Sequence, residues 1–131
     1  KEKFLIKKNN LNEKNIQFDF GDDQKLLNYY LNSTALLYPS LNEGFGFPPL
    51  EAMTYGCPVM TSNNKAIIEA TGLSKFTFDP EDPNEIINVI DEVIASKENL
   101  MFLKNYGIER VKQFNSEIMV KNLKKTYKMI I

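Results

Sequence analysis

Two glutamates, Glu43 and Glu51, stand eight residues apart across the turn Gly44-Phe45-Gly46-Phe47-Pro48-Pro49-Leu50. Gly44 and Gly46 let the backbone approach a ligand closely and adopt dihedral angles that other residues avoid. Leu50-Glu51-Ala52-Met53 reads as the start of a helix, with proline in the first turn, where an amide has no partner anyway. A helix start directs unpaired amides and a positive dipole end outward, which suits a phosphate. With the helix beginning near Pro48 or Pro49, the usable amides are those of Leu50 and Glu51. Carboxylates beside such a seat do not hold the phosphate itself, since like charges repel. They suit hydroxyl groups, and a nucleotide sugar carries ribose and hexose hydroxyls on either side of a diphosphate. The same residues also fit a plainer role, with Glu51 steadying the helix N-terminus and Glu43 solvated.

Composition narrows the chemistry further. The chain has 131 residues, 43% of them hydrophobic, with no His, no Trp and one Cys. That length suits one domain with a real core. Without His there is no Ser-His-Asp triad, no Cys-His dyad and no His-bearing zinc site. The single Cys57 excludes an internal disulfide or a paired-cysteine metal site, and reads as a small buried hydrophobe. Neither a G-x-G-x-x-G fingerprint nor a P-loop occurs. No apolar run approaches the roughly 18 residues of a membrane span, and the Lys-rich start lacks a signal-peptide pattern. Catalysis would rest on carboxylates, hydroxyls, Lys or backbone dipoles.

Charge is uneven. Formal net charge is -1, with fifteen Lys and the lone Arg110, a skew that reads as compositional bias. Phe76 to Ser96 carries six acids and no bases, whereas Lys104 to Ile131 carries seven bases and two acids. Two complementary solvated helix faces account for this, with peripheral contact to an anionic lipid surface as the alternative for the basic segment. The aromatic residues do not interleave with the basic ones, so nucleic acid is not an expected partner.

The elements that must hold the glutamates follow from periodicity and punctuation. Lys1 to about Lys8 reads as the tail of a helix, and Asn9 to Asn15 as a polar connection. Ile16, Phe18 and Phe20 alternate with polar residues, which predicts a strand stopped at Gly21. Asp22 or Asp23 caps a helix carrying Leu26, Leu27, Tyr30 and Leu31 on one side. The Tyr29-Tyr30 pair reads as packing. Thr34 to Tyr38 is a short buried strand ended by Pro39. The helix after Pro49 stops at Gly56. Pro58-Val59-Met60 is a strand with Thr61-Ser62-Asn63-Asn64 as its exit loop, a short helix through Ile67 and Ile68 ends near Gly72, and Phe76-Thr77-Phe78 is a further strand. Asp82-Pro83-Asn84-Glu85 forms a capping box ahead of a helix that buries Ile86, Ile87, Ile90, Val93 and Ile94. Helices over about Glu98 to Lys112 and Ser116 to Ile131 complete the chain. Alternating strands and helices imply a parallel sheet with crossovers, hence an α/β unit of about four strands whose ligand edge lies beyond the strands' carboxyl ends. Three loops occupy that edge: Gly21-Asp22-Asp23, Ser40 to Pro49, and Thr61 to Asn64.

Glu43-Gly-Phe-Gly-Phe-Pro-Pro-Leu-Glu51-Ala-Met, followed by Gly56-Cys-Pro-Val, resembles the Glu-x7-Glu motif of retaining GT-B glycosyltransferases of family 4 (glycosyl transferases group 1). The match extends to Tyr38-Pro39-Ser40, to Asp79-Pro80-Glu81-Asp82-Pro83 and to Phe114-Asn115-Ser116-Glu117. The resemblance implies a Rossmann-like fold and a C-terminal, donor-binding part of a two-domain enzyme that moves a sugar from a nucleotide donor with retention and without a catalytic metal or other cofactor. It implies that Glu43 is the catalytic-centre carboxylate, holding donor-sugar hydroxyls with help from Gly44, Phe45, Gly46 and Phe47. Glu51 would hold the ribose, Leu50 at the helix start would face the diphosphate, and Gly21 and Asp22 would lie beside the base. Glu69 is a solvated carboxylate or faces the nucleotide. The implied setting is surface polysaccharide or glycoconjugate assembly, in the cytoplasm or at the inner face of the membrane.

The departures are also instructive. Two strands that open the family's donor domain, and the Arg and Lys that grip the diphosphate there, have no counterpart in residues 1–131, nor has the acceptor domain. Residues 1–131 are therefore expected to be part of a donor-binding domain, inactive alone. A sheet lacking those strands leaves an open edge that invites self-association, so a non-catalytic nucleotide-sugar-binding or self-associating module is the alternative. A flavodoxin-like or sugar-epimerase-like domain would need a phosphate loop at its first strand, which is absent.

Overall fold

The computed structural model describes residues 13–114. Three parallel strands lie side by side in chain order: β1 (Leu36–Tyr38), β2 (Val59–Ser62) and β3 (Thr77–Phe78). Helix α1 (Asp23–Asn32) precedes β1, α2 (Phe47–Thr54) crosses from β1 to β2, and α3 (Lys65–Thr71) crosses from β2 to β3. Helices α4 (Pro83–Ile94) and α5 (Lys97–Val111) follow. Leu36 pairs with Val59 and Tyr38 with Thr61, while Thr61 and Ser62 pair with Thr77 and Phe78. Parallel strands need such helical crossovers, so the α/β expectation is met. The expected helix tail over Lys1 to Lys8, residues 9–12 of the polar connection and the helix over Ser116 to Ile131 lie outside the described residues.

Local chemistry explains each helix boundary. The carboxylate of Asp22 accepts the Lys25 amide at 3.0 Å, Asn64 Oδ1 the Ala66 amide at 2.9 Å, and Asp82 Oδ1 the Asn84 amide at 2.8 Å. At the far end of α2, Gly56 takes φ 70°, its amide reaching the Met53 carbonyl and that of Cys57 the Ala52 carbonyl, both at 3.0 Å. This is a Schellman closure, which requires the left-handed residue that glycine supplies.

The sheet is narrower than expected, with three strands among the described residues. Ile16, Phe18 and Phe20 form no strand and are 36%, 46% and 92% exposed. A strand is held by its ladder, and no described strand pairs with this segment, so its alternation has no face to bury. Thr61 and Ser62 are not an exit loop: they are the buried C-terminal half of β2. Phe76 lies outside β3 because its φ of 62° is left-handed, a conformation held by burial of its ring edge-on to Phe102. Only the first half of the capping box forms; Glu85 reaches back to the Asp79 amide instead, at 2.7 Å. The apolar stripes of α1 and α4 are also narrower. Leu26, Leu31, Ile87 and Ile94 are exposed, leaving Tyr30 and Val93 as the buried residues of those helices.

The core lies between the sheet and α2, α3, α4 and α5, and contains Met53, Cys57, Val59, Ile67, Phe78, Val93 and Leu103. Burial pushes the Cys57 thiol pKa up, in keeping with a small hydrophobe.

Candidate functional site

The loop that leaves β1 at its carboxyl end carries Ser40 to Gly46 and delivers the chain to α2. It is fastened to β2 and to the start of α3. Ser62 Oγ donates to the Ser40 carbonyl at 2.6 Å, and Asn64 Nδ2 donates to the Leu41 carbonyl at 3.1 Å. Asn64 thereby caps α3 with its oxygen and holds the loop with its nitrogen.

Glu43 is half-buried on this loop. Its Oε1 accepts the Tyr38 hydroxyl and, at 3.0 Å, Ser40 Oγ. Its Oε2 accepts no hydrogen bond from any described residue. Burial, and then the hydrogen bond to Glu43, push the Tyr38 phenol up to about 12, so it is a donor throughout the ordinary pH range.

Helix α2 begins differently from its neighbours. Its N-cap is Gly46, left-handed at φ 90° and ψ 50°, and no side chain caps it. In α1, α3, α4 and α5 the cap carbonyl receives an amide of the first turn, from Leu26, Ile68, Ile86 and Leu100 respectively; the Gly46 carbonyl receives no such bond. Pro48 and Pro49 have no amide to offer, so Phe47 and Leu50 are the first residues of this helix that carry one. The helix starts at Phe47 rather than at Pro48 or Pro49. Glu51 is thus its fifth residue, and its amide faces the Phe47 carbonyl within the helix. The Glu51 amide, expected to be usable, is therefore turned into the helix. The Leu50 side chain is buried, so its backbone alone can meet a ligand.

Gly44 and Gly46 serve different ends. A β-carbon on Gly46 would only touch Ile67 Cγ1 at 3.4 Å, but would stand on a left-handed backbone that L-residues avoid. A β-carbon on Gly44 would meet nothing within 4 Å. Phe45 and Phe47 are exposed, with ring centroids 5.1 Å apart, and Phe45 meets the edge of Phe114 at 6.0 Å.

Glu51 is exposed, and the Tyr30 hydroxyl donates to its Oε2 at 3.4 Å. Burial and then the Glu51 charge push the Tyr30 phenol up to about 12. Tyr30 also stacks on Tyr55, with centroids 6.3 Å apart, which is the packing role expected of the Tyr29-Tyr30 pair, whereas Tyr29 is exposed and its hydroxyl donates to Asp19. Gly21 and Asp22 are not joined to this group. They line a separate shallow cavity of about 200 Å³ with Phe20 and Leu26, and the Asp22 carboxylate is taken by its cap. Beside them, Lys25 and then Tyr29 hold the Asp19 carboxyl down at about 2.

Sequence reasoning missed Ser62 and Asn64 as supports; their place at the carboxyl ends of parallel strands was the available signal. The reading of the Lys/Arg skew as compositional bias also assigned Arg110 no structural role. The Arg110 Nε donates to the Ala70 carbonyl at 2.9 Å and Nη2 to the Glu69 carbonyl at 2.6 Å, closing the negative end of α3. The Glu69 side chain is exposed on that turn.

Comparison with known proteins gives this geometry a family. Residues 1–110 match the family model described as "Glycosyl transferases group 1". The chain is 32% identical over 108 residues to the "O-antigen chain mannosyltransferase B" of Escherichia coli, covering 82% of the chain and 28% of that protein. It is 31% identical over 123 residues to the "O-antigen biosynthesis glycosyltransferase WclY" of Escherichia coli, covering 94% and 34%. It is 31% identical over 96 residues to the "Serotype-specific mannosyltransferase WbdA" of the same species, covering 73% and 12%. The chain thus spans about a third or less of the length of these relatives. No solved structure matches. The chain belongs to the glycosyl transferases group 1 family.

Proposed function

We propose that this chain supplies the nucleotide-sugar donor side of a retaining, family 4 glycosyltransferase of GT-B architecture, acting in surface polysaccharide assembly. The transferred sugar is a hexose, and mannose is the first to test, because two of the relatives above are named mannosyltransferases. Glu43 accepts hydroxyls of the donor sugar, Glu51 those of the ribose, and the uncapped start of α2 faces the diphosphate. As the bond to the sugar breaks, the leaving diphosphate gains charge. The Phe47 and Leu50 amides and the dipole of α2 stabilise that charge without a protein-held metal. Transfer itself requires an acceptor domain and basic residues that residues 1–131 do not supply, so the chain alone binds donor and turns over weakly or not at all. This activity belongs at the cytoplasmic side, where nucleotide sugars are made.

The observation that supports this reading is the start of α2: no side chain caps it and, among the described residues, the Gly46 carbonyl receives no first-turn amide, between two carboxylates suited to hydroxyls. The test is calorimetric titration with GDP-mannose, UDP-glucose and their parent diphosphates. Saturable binding that Glu51→Ala weakens about tenfold or more supports it; no binding to any of them removes it. A second reading, self-association, is favoured by β1, which among the described residues pairs on one side only. Light scattering that finds a stable dimer together with no nucleotide binding would select it.

A further inference from the structure

We infer that Tyr38 and Ser40 are positioning residues for Glu43, fixing one carboxylate oxygen so that the other is the acceptor presented to the donor sugar. This rests on the donor-site reading above and extends it to residues that touch no substrate. Three observations on separate elements support it. Tyr38, the last residue of β1, and Ser40, at the start of the loop, both donate to the same atom, Glu43 Oε1. The opposite oxygen, Oε2, is left without a described partner. Ser40 is itself held, because Ser62 on β2 donates to its carbonyl at 2.6 Å.

The chemistry follows from the capacity of a carboxylate. An ionised carboxylate has about four lone-pair sites over its two oxygens. Two hydroxyl donors on Oε1 fill that side and fix the plane of the group. A glutamate otherwise loses rotamer freedom on meeting a ligand, a cost that a carboxylate already held by two donors avoids. The Ser40 hydroxyl also lies 3.3 Å from the Asn42 carbonyl, a longer alternative acceptor within the same loop. The Tyr38 phenol lies within hydrogen-bonding reach of Ser40 as well as Glu43, so the two hydroxyls and the carboxylate form one cluster.

The assignment predicts a selective loss. Tyr38→Phe removes one donor and leaves the ring in place. Affinity for GDP-mannose, or whichever sugar nucleotide the chain binds best, falls about threefold to tenfold. Affinity for the parent diphosphate, which lacks the hexose, stays within about twofold. Ser40→Ala gives a smaller loss of the same kind, and Ser40→Thr, which keeps the hydroxyl, restores binding. Circular-dichroism melting of each variant verifies folding, and Ser40→Ala carries the test if Tyr38→Phe does not fold. An equal loss for both ligands, or no loss for the sugar nucleotide, overturns the positioning role while leaving the donor site standing. Failure of the unaltered chain to bind either ligand overturns the donor-site reading and this inference with it.

Discussion

A β-carbon on Gly107 of α5 would stand 2.8 Å from Cγ and 3.1 Å from Cβ of Met53 on α2. The absence of that atom is what lets α5 lie close behind the helix whose other end carries the candidate site. Met53 is 1% exposed and has no room to retreat. Gly107→Ala therefore gains about 1 kcal/mol of helix propensity and loses more through overpacking. The expected net destabilisation is about 1 to 2 kcal/mol, read as a lower urea midpoint.

Arg110 predicts a second stability effect. Its guanidinium serves two carbonyls at the end of α3 and the Gln113 side chain, and stacks on Phe114 with 5.1 Å from Cζ to the ring centroid. Lysine offers one ammonium and cannot reproduce the fork. Arg110→Lys should cost about 1 to 2 kcal/mol of unfolding free energy. Hydrogen exchange should show the loss at the Gly72 amide, which closes α3 on the Ile68 carbonyl at 2.7 Å.

The two loop glycines should respond in opposite ways. Gly46→Ala forces an L-residue into a left-handed cap and should destabilise the chain by about 1 to 2 kcal/mol. Gly44→Ala meets no protein atom within 4 Å and should leave the melting temperature unchanged. Its methyl would instead occupy space beside Glu43, so nucleotide-sugar affinity should fall. Thermal melts and titrations on both variants check the contrast.

Alkaline titration should report the two tyrosines that donate to the glutamates, Tyr38 to Glu43 and Tyr30 to Glu51. Tyr30 and Tyr38 are each pushed up to about 12 from an ordinary value of 10.0. The folded chain thus keeps protons that the unfolded chain releases. Their contribution to stability is fully present below pH 10 and is lost as pH rises from about 10 to about 12. Absorbance at 295 nm should show a late phenolate step, which shrinks in Tyr30→Phe and in Tyr38→Phe.

Much of this architecture could be read from residue pattern because the signals were local. Asp22, Asp82, Gly56 and Gly72 mark helix ends through bonds they make with near neighbours, and each acts where expected. The segment around Ile16 to Phe20 misled because alternation states only that a strand could form, not that a partner strand is there to pair with it. The glutamates and the glycine turn stood out as a contiguous run. Their supports did not, since Ser62 lies 22 residues from Ser40 and Arg110 lies 40 from Ala70. Such contacts are set by how the crossovers return the chain, and no short window of sequence contains both partners.

The central claim, that Glu43 reads the sugar and Glu51 the ribose, is most directly tested by paired titrations of the unaltered chain, Glu43→Ala and Glu51→Ala with a sugar nucleotide and its parent diphosphate. The account predicts that Glu51→Ala weakens both ligands about tenfold or more, whereas Glu43→Ala weakens only the sugar nucleotide. Equal losses from the two variants for both ligands, or no loss from either, would contradict it.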